Sequence, residues 1–292
     1  MTNDQLLKNL ETRIENLQRN MLANAQLTNS VLQTLINLKD LLLNFQTIKL
    51  QHLHRNPLNR FGRKCFSQTD EDGITLEIIR RLGITDGIYA EFGVGDGLEN
   101  NTLILATLGW KGFWVGGEDL AFTHINSSKF KYYRKWITLD NILNCAQTGL
   151  AEIGSESPDV ISLDFDGNDI YFVHELISNG IKPKLFIVEY NAKFIPPARF
   201  QIAYDPNHQW AGDDYFGAAL MNFVDLFREH GYHLICCNSH TGANAFFLKD
   251  TYKELFPETP SNVLDIWVEP RYHLYNQYGH KKSTKVISQI LG

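Results

Sequence analysis

Three carboxylates lie where two apolar runs of the sequence end. Asp164 and Asp166 follow the run DVISL, and Glu189 lies near the end of LFIVEY. Side chains two residues apart on a strand point the same way, and acids at close range either share a divalent cation or divide into a base and an anchor. We predict Asp166 and Glu189 as catalytic residues, and all three acids as a candidate site for Mg²⁺ or Mn²⁺. The alternative is that Asp166 and Asp169 only cap the helix that follows.

A second motif is the glycine-rich stretch YAEFGVGDG, which places Glu91 at the end of a predicted strand and Gly93, Gly95 and Gly97 in the next turn. Glycines let the backbone approach a ligand closely, and the adjoining helix N-terminus offers free N–H groups. A dinucleotide fingerprint requires glycine or alanine where Leu98 stands, so NAD is disfavoured. The motif indicates a ligand-binding turn or, alternatively, a tight turn alone.

The elements that would position these residues alternate between strand and helix patterns from residue 70 onward. Alternation of this kind predicts a parallel sheet with crossover helices, and the last two strands suit an antiparallel hairpin. We therefore predict an α/β fold, a doubly wound Rossmann-type sheet with a C-terminal hairpin. The predicted strands are 87–92, 112–115, 136–139, 159–165, 185–190, 232–237 and 245–248. The predicted helices are 70–82, one ending at 108, 171–178 and 215–229.

The N-terminal segment carries a heptad repeat. Positions a and d fall, without a slip, on Leu7, Leu10, Ile14, Leu17, Met21, Asn24, Thr28, Val31, Leu35, Leu38, Leu42 and Phe45. A stripe of this length predicts a coiled coil that makes the chain a homo-oligomer; the alternative is a helix folded back on its own domain. The predicted divisions are a coil over 1–50, a solvated basic linker over 51–64, a catalytic domain over 65–255, and an aromatic, basic extension over 256–292. The linker could alternatively dock on an anionic membrane or glycan.

Composition narrows the function classes. The net charge is −6 and the isoelectric point is near 5.9, whereas nucleic-acid binding needs an excess of Lys and Arg on the binding face. No leader pattern and no long apolar run occurs in the sequence, which favours a cytoplasmic protein with at most peripheral membrane contact. The four cysteines make no CxxC pair, and we predict them to be reduced core thiols.

Several further motifs together give the chain its family resemblance. They are FSQ with DEDG, EFGVGDG with ENNT, GWKG, SLDFDGND, VEYN, YFGA and GANAFF, in this order over roughly residues 65–250. In order and spacing they resemble the FkbM-type methyltransferases, in particular a bacterial subgroup that accompanies surface-glycan enzymes. The resemblance implies a methyltransferase fold that binds S-adenosylmethionine. It also implies cofactor contacts from Gln68, Asp72, Glu91, Asn101 and Asp164, beside the glycine turn.

One departure from that pattern concerns the ribose of the cofactor. Methyltransferases usually place an acid at the end of the second strand to bind both ribose hydroxyls, and this chain has Gly116 and Gly117 there. Glu118 follows, and we expect it to turn inward as the replacement. The alternative is that cofactor affinity is weakened or lost.

The loop over residues 191–213 is long for a connection and rich in aromatic rings that can stack on sugars. We predict a substrate lid with contacts from Asn191, Tyr204, His208 and Trp210, and we add His240, in the hairpin turn, as a third catalytic candidate. The expected function is methylation of a saccharide hydroxyl in surface-glycan synthesis. Two alternatives stay open: a non-catalytic scaffold for glycan assembly, and a metal-dependent transferase or hydrolase that does not use S-adenosylmethionine.

Overall fold

The computed structural model describes residues 3–271 and Lys285. The chain divides into two compact units, with the boundary between Lys49 and Leu50. The first unit consists of one helix, α1, whose full extent is Asn3–Leu53. Within the described residues, no helix has the length and apolar character needed to cross a membrane.

The second unit is an α/β domain. Its helices are α2 (Glu71–Leu82), α3 (Leu103–Thr107), α4 (Ile142–Glu152), α5 (Asp169–Ser178) and α6 (Leu220–Glu229). Its strands are β1 (Ile88–Phe92), β2 (Lys111–Gly116), β3 (Phe130–Arg134), β4 (Val160–Leu163), β5 (Leu185–Glu189), β6 (Tyr232–Cys237) and β7 (Asn244–Lys249).

The seven strands form one sheet in the order β3-β2-β1-β4-β5-β7-β6. The first five are parallel to their neighbours, whereas β7 is antiparallel to β5 and to β6. The order reverses at β1 and β4, which is the switch point where doubly wound sheets bind ligands at the carboxyl ends of the strands. The predicted fold class, a doubly wound Rossmann-type sheet with an antiparallel hairpin behind a long N-terminal helix, is confirmed.

Both faces of the sheet are covered by apolar layers, as expected for parallel strands. On one face Phe92, Phe113 and Phe186 pack with α4, α5 and α6; on the other Tyr89 and Trp114 pack with α2 and α3. The central strands therefore read as continuous apolar runs, and their carboxyl ends are held in fixed positions beside one another.

Two predicted elements need correction, and one helix is additional. The third strand is not 136–139 but Phe130–Arg134, an edge strand of which only Tyr132 is buried, and Trp136 lies exposed beyond it. Helix α4 was not predicted, because its residues Asn144, Cys145, Thr148 and Gly149 are weak helix formers. Helix α6 begins at Leu220 rather than at 215, because the preceding residues run extended and Ala218 bridges Gln201.

The segment predicted as a solvated linker is instead packed on the hairpin. Leu58 and Asn59 are buried in a short 3₁₀ helix, Pro57–Phe61, and Asn56, its N-cap residue, is also buried. The amide of Asn56 donates to the carbonyl of Ile235 at 2.7 Å, and that of Asn59 donates to the carbonyl of Cys237 at 2.8 Å. These amides satisfy backbone carbonyls on β6, so the segment is an integral part of the domain.

Replacing Asn59 with alanine should lower the free energy of unfolding by about 1–3 kcal/mol, because it removes the amide that donates to the buried carbonyl of Cys237 and to the hydroxyl of Ser239. Urea unfolding followed by circular dichroism measures the change. Arg60→Ala, on the same 3₁₀ helix but exposed, is the matched control and should leave stability nearly unchanged. Equal stability of the two variants would contradict the structural role of Asn59.

The C-terminal extension is described only over 256–271 and at Lys285. Phe256, Ile266 and Val268 are buried, and the indole of Trp267 donates to the carbonyl of Ala192, so this part packs on the domain. The predicted tail residues Tyr272, Tyr275, Tyr278, Lys281 and Lys282 lie outside the described residues. Among the cysteines, three are buried and free as predicted, whereas Cys65 is exposed.

Candidate functional site

The candidate site lies at the carboxyl ends of β1, β4 and β5. Phe92, the last residue of β1, pairs with Leu163, the last of β4, and Leu163 pairs with Val188 of β5. The chain leaves β1 into the glycine turn and leaves β4 into the segment that begins at Asp164. The parallel pairing therefore brings together motifs that are about 70 residues apart in the sequence.

Asp164, Asp166 and Glu189, here called the acid cluster, converge as predicted. One carboxylate oxygen of each lies within 4.8 Å of the others. The backbone N–H of Asp166 donates to Glu189 Oε2 at 3.1 Å, and Asp166 takes the left-handed conformation with φ of 53°. The backbone of a non-glycine residue adopts the left-handed conformation uncommonly, and such residues cluster at functional sites. This turn holds Asp166 beside Glu189.

The electrostatics of the acid cluster favour a cation or a shared proton. Burial raises the pKa of Asp164 well above its ordinary value, and the charges of Asp166 and Asp169 raise it further. Burial also raises the pKa of Glu189, with Asp164 adding the next contribution. Adjacent carboxylates cannot all ionise without a positive partner, and hard oxygen donors at this spacing suit Mg²⁺ or Mn²⁺.

Asp169 has a different role from the acid cluster. Its two oxygens accept the N–H groups of Phe165 and Gly167 at 3.0 and 3.1 Å, and its side chain is buried. Burial raises its pKa to about 7. Asp169 thus orders the turn that precedes α5, while the side chain of Asp166 remains beside Glu189. Neither acid caps the helix as the alternative supposed, because the N-cap residue is Asn168 and no side chain bonds there.

The glycine turn has one closed and one open position. A Cβ on Gly93 would lie 1.7 Å from the carbonyl oxygen of Asp164, and its φ of +85° also requires glycine. A Cβ on Gly95 would meet no atom within 4 Å. Gly97 has a φ of +80°, and a Cβ there would meet the side chains of Leu120 and Phe122. The turn is therefore tight against β4, yet its middle residue faces open space where a ligand can approach.

Glu91 orders the loop that leads into α3. Its carboxylate accepts the N–H of Asn101 at 2.8 Å, the N–H of Thr102 at 3.0 Å and the Thr102 hydroxyl. It is 3% exposed, and burial raises its pKa to about 7. With its oxygens bound to the protein, Glu91 positions this loop.

The pKa of Glu91 predicts an unusual pH dependence. Because its folded pKa lies above the ordinary value of 4.5, the folded state binds the extra proton, and stability falls as pH rises from about 4.5 to about 7. Across that window the stability of wild type relative to Glu91→Gln should drop by an amount on the order of 3 kcal/mol. Urea unfolding at pH 5 and pH 8 measures it. A difference that does not change with pH would show that Glu91 titrates normally.

Two other residues implied by the resemblance also order loops. Asp72 Oδ2 accepts the N–H groups of Cys65, Phe66 and Ser67 at 2.6 to 2.9 Å. Asn101 donates to the hydroxyl of Ser162 at 3.1 Å. These side chains fix the segment before α2 and the loop between β1 and α3. Gln68, the third residue implied, is exposed.

The end of β2 explains the absence of an acid there. A Cβ on Gly116 would lie 1.8 Å from the carbonyl oxygen of Val94, so the glycine turn occupies the space of any side chain at 116. Glu118 is exposed, and its carbonyl accepts the hydroxyl of Tyr132. Glu118 is the first acidic residue after β2, and its side chain is open to solvent.

The loop over 191–213 is held by its own polar residues. Asn191 is buried and donates to the carbonyls of Asp214 and Phe216; the hydroxyl of Tyr204 accepts the N–H of Leu139. The indole of Trp210 donates to the carbonyl of Asp213 at 2.6 Å. Asn191 and Trp210 therefore donate to backbone carbonyls at the end of the loop and just after it. Tyr204 is bonded to the segment after β3.

His208 of this loop lies beside the acid cluster. A Cβ on Gly167 would lie 2.2 Å from its Cδ2, so the ring packs directly on the residue after Asp166, close enough for its charge to act on that carboxylate. Its Nε2 is buried and has no hydrogen-bond partner among the described residues. Sequence reasoning assigned His208 to substrate stacking and missed its place beside Asp166, since nothing in the spacing of the two residues signals it.

His240, the third catalytic candidate, lies in the turn between β6 and β7. Its backbone N–H donates to Asp70 Oδ1 at 3.0 Å, and Asp70 also accepts the N–H of Ser239 and the amide of Gln51. Neighbouring Glu71 accepts the amides of Asn238 and Asn244. The contacts of this turn thus belong to a buried polar network that joins it to the start of α2.

No family model matches the chain, and no curated protein does. Among solved structures, a protein of Lactococcus lactis assigned provisionally as a hemolysin is 12% identical, with a TM-score of 0.38 over 67% of this chain and 99% of its own. CalO1, a methyltransferase of calicheamicin biosynthesis in its SAH-bound form, is 12% identical, with a TM-score of 0.33 over 60% and 56%. An O-methyltransferase family 2 protein from Planctomyces limnophilus, in complex with apigenin, is 10% identical, with a TM-score of 0.32 over 71% and 61%.

The chain spans less than two thirds of the length of those two methyltransferases. Likeness at these TM-scores carries no statement about activity. Strand order and register identify the fold of this chain.

Proposed function

We propose that the chain is an S-adenosylmethionine-dependent methyltransferase of the cytoplasm that O-methylates a sugar hydroxyl in bacterial surface-glycan synthesis. The observation that supports the proposal is the open position at Gly95 in a turn whose Gly93 packs on the backbone of Asp164, at the switch point of the sheet. The glycine turn suits a cofactor that approaches the backbone closely, and the acid cluster suits an acceptor hydroxyl that must lose a proton. The FkbM resemblance supplies the cofactor and the glycan context.

The cofactor would lie along the glycine turn. Gly95 leaves room for close approach, and Glu118 is the exposed acid nearest in sequence to the end of β2. We assign Glu118 to the ribose hydroxyls, since Val94 excludes a side chain at Gly116. When bound, S-adenosylmethionine supplies an electrophilic methyl group on sulfur.

The acid cluster would handle the acceptor. The acceptor oxygen forms the new C–O bond as the S–C bond breaks, and its proton passes to a carboxylate, with Asp166 the first candidate because it is the exposed member of the cluster. The remaining acids would hold the acceptor in line with the methyl group. A divalent cation held by Asp164, Asp166 and Glu189 would lower the pKa of a hydroxyl bound to it.

Isothermal titration calorimetry with S-adenosylmethionine and with its demethylated product tests the proposal on the full-length chain. We expect both to bind, and we expect Mn²⁺ to raise the melting temperature by binding the acid cluster of the folded state. Failure of both cofactor forms to bind would contradict the proposal.

The acid cluster also favours a second candidate, a metal-dependent transferase or hydrolase that does not use S-adenosylmethionine. Stabilisation by Mn²⁺ without cofactor binding would support that candidate. The absence of both effects would favour the scaffold alternative, in which the fold serves assembly and not catalysis.

A further inference from the structure

The long helix α1 exposes an apolar stripe whose function the proposed chemistry does not explain. All ten apolar side chains at the a and d positions between Leu7 and Phe45 are exposed in the single chain. Leu17, Met21 and Phe45 have 62 to 71% of their surface accessible. A stripe of this kind is stable in water only when another apolar surface covers it.

The apolar surface extends beyond the a and d positions. Exposed aliphatic residues also occupy the flanking e and g positions, at Leu6, Leu27, Leu32, Leu41 and Ile48. Two-stranded coiled coils commonly carry Glu and Lys at these positions, where they remain at the rim. Helices in the core of a larger bundle are instead apolar at a, d and at e or g. The width of the stripe therefore favours more than two helices.

The charge pattern indicates what kind of surface covers α1. No charged residue occurs between Arg19 and Lys39. The opposite side of this stretch carries no charge, so it offers no ion pair to an acidic or basic partner; it consists of Leu22, Ala23, Gln26, Asn29, Ser30, Gln33, Ile36 and Asn37. Helices that lie on anionic lipid depend on Lys and Arg along their polar side, which this stretch lacks. An uncharged apolar surface with the same heptad spacing is the complementary partner.

Two polar core positions indicate register. Asn24 at d and Thr28 at a interrupt the apolar stripe, and the Thr28 hydroxyl donates to the Asn24 carbonyl of its own helix at 2.8 Å. The side-chain amide of Asn24 carries both donors and an acceptor. In a parallel, in-register assembly each Asn24 meets its own copies and can bond to them, whereas in other registers it would face apolar side chains.

We infer that residues 3–49 assemble with further copies of this chain into a parallel, in-register bundle of three or more helices. The partner is the same segment of another copy. The bundle gathers at least three catalytic domains, independently of which reaction those domains perform.

Light scattering coupled to size exclusion tests this on the full-length chain. The expected mass is at least three times the 33.5 kDa of one chain. Leu35→Glu at an a position and Leu41→Glu at a g position should each reduce the mass, because each places a charge in the bundle core. Gln33→Glu adds the same charge at an outer f position and should leave the mass unchanged. Circular dichroism verifies that each variant remains folded.

A monomer at micromolar concentration would overturn the inference. A dimer would overturn the number of helices, and a mass that is insensitive to Leu41→Glu would show that the g position lies at the rim. A monomeric chain that sediments with neutral phosphatidylcholine vesicles would show that lipid, and not a second copy, covers the stripe.

Discussion

Replacing Asp166 with asparagine should lower the rate of methyl transfer by about two to four orders of magnitude, the usual range for loss of a general base. Asparagine keeps the shape of the side chain and removes its charge. The backbone N–H of residue 166 still donates to Glu189, so the turn and the cofactor site should remain intact. Single-turnover kinetics with saturating S-adenosylmethionine measures the change, and calorimetry verifies that the cofactor still binds.

Asp169→Asn is the matched control for that experiment. Asp169 holds the N–H groups of Phe165 and Gly167, so its substitution should lower the melting temperature of the domain more than that of Asp166. If Asp166→Asn behaves like Asp169→Asn, with lower stability and no specific kinetic defect, Asp166 is structural. The base would then be sought at Glu189, His208 or His240.

A chelator separates the two possible roles of Asp166. If the acid cluster holds a metal, EDTA should abolish wild-type activity, and Mg²⁺ or Mn²⁺ should restore it. If Asp166 acts as a base alone, activity should be indifferent to EDTA. Asp166→Asn should lose activity in either case. The chelator therefore distinguishes a metal ligand from a general base independently of that substitution.

The central strands could be predicted from the sequence because burial on both faces gives them continuous apolar runs that few other structures produce. The edge strand β3 could not, because its sequence FKYYR has only one buried residue and resembles an exposed loop. Helix α4 escaped prediction for a related reason. Its stability comes from packing Ile142, Ala146 and Leu150 on the sheet rather than from intrinsic helix propensity.

The acid cluster could be predicted because strand periodicity and parallel order place the ends of β4 and β5 side by side. The role of Glu91 could not, because it depends on donors ten residues away that approach only when the loop folds. The position of His208 depends on how a long irregular loop returns to β4. Such contacts follow from tertiary packing, which leaves no periodic signal in the sequence.

Replacing Gly95 with valine should weaken S-adenosylmethionine binding at least tenfold, about 1.4 kcal/mol. A Cβ at this position meets no protein atom within 4 Å, and its backbone is not left-handed. The branched side chain therefore obstructs a ligand without straining the fold, and the melting temperature should stay near that of wild type. Gly93→Val should instead unfold the domain, because its Cβ would lie 1.7 Å from the Asp164 carbonyl. A folded Gly95→Val chain with an unchanged dissociation constant would show that the cofactor does not approach this turn.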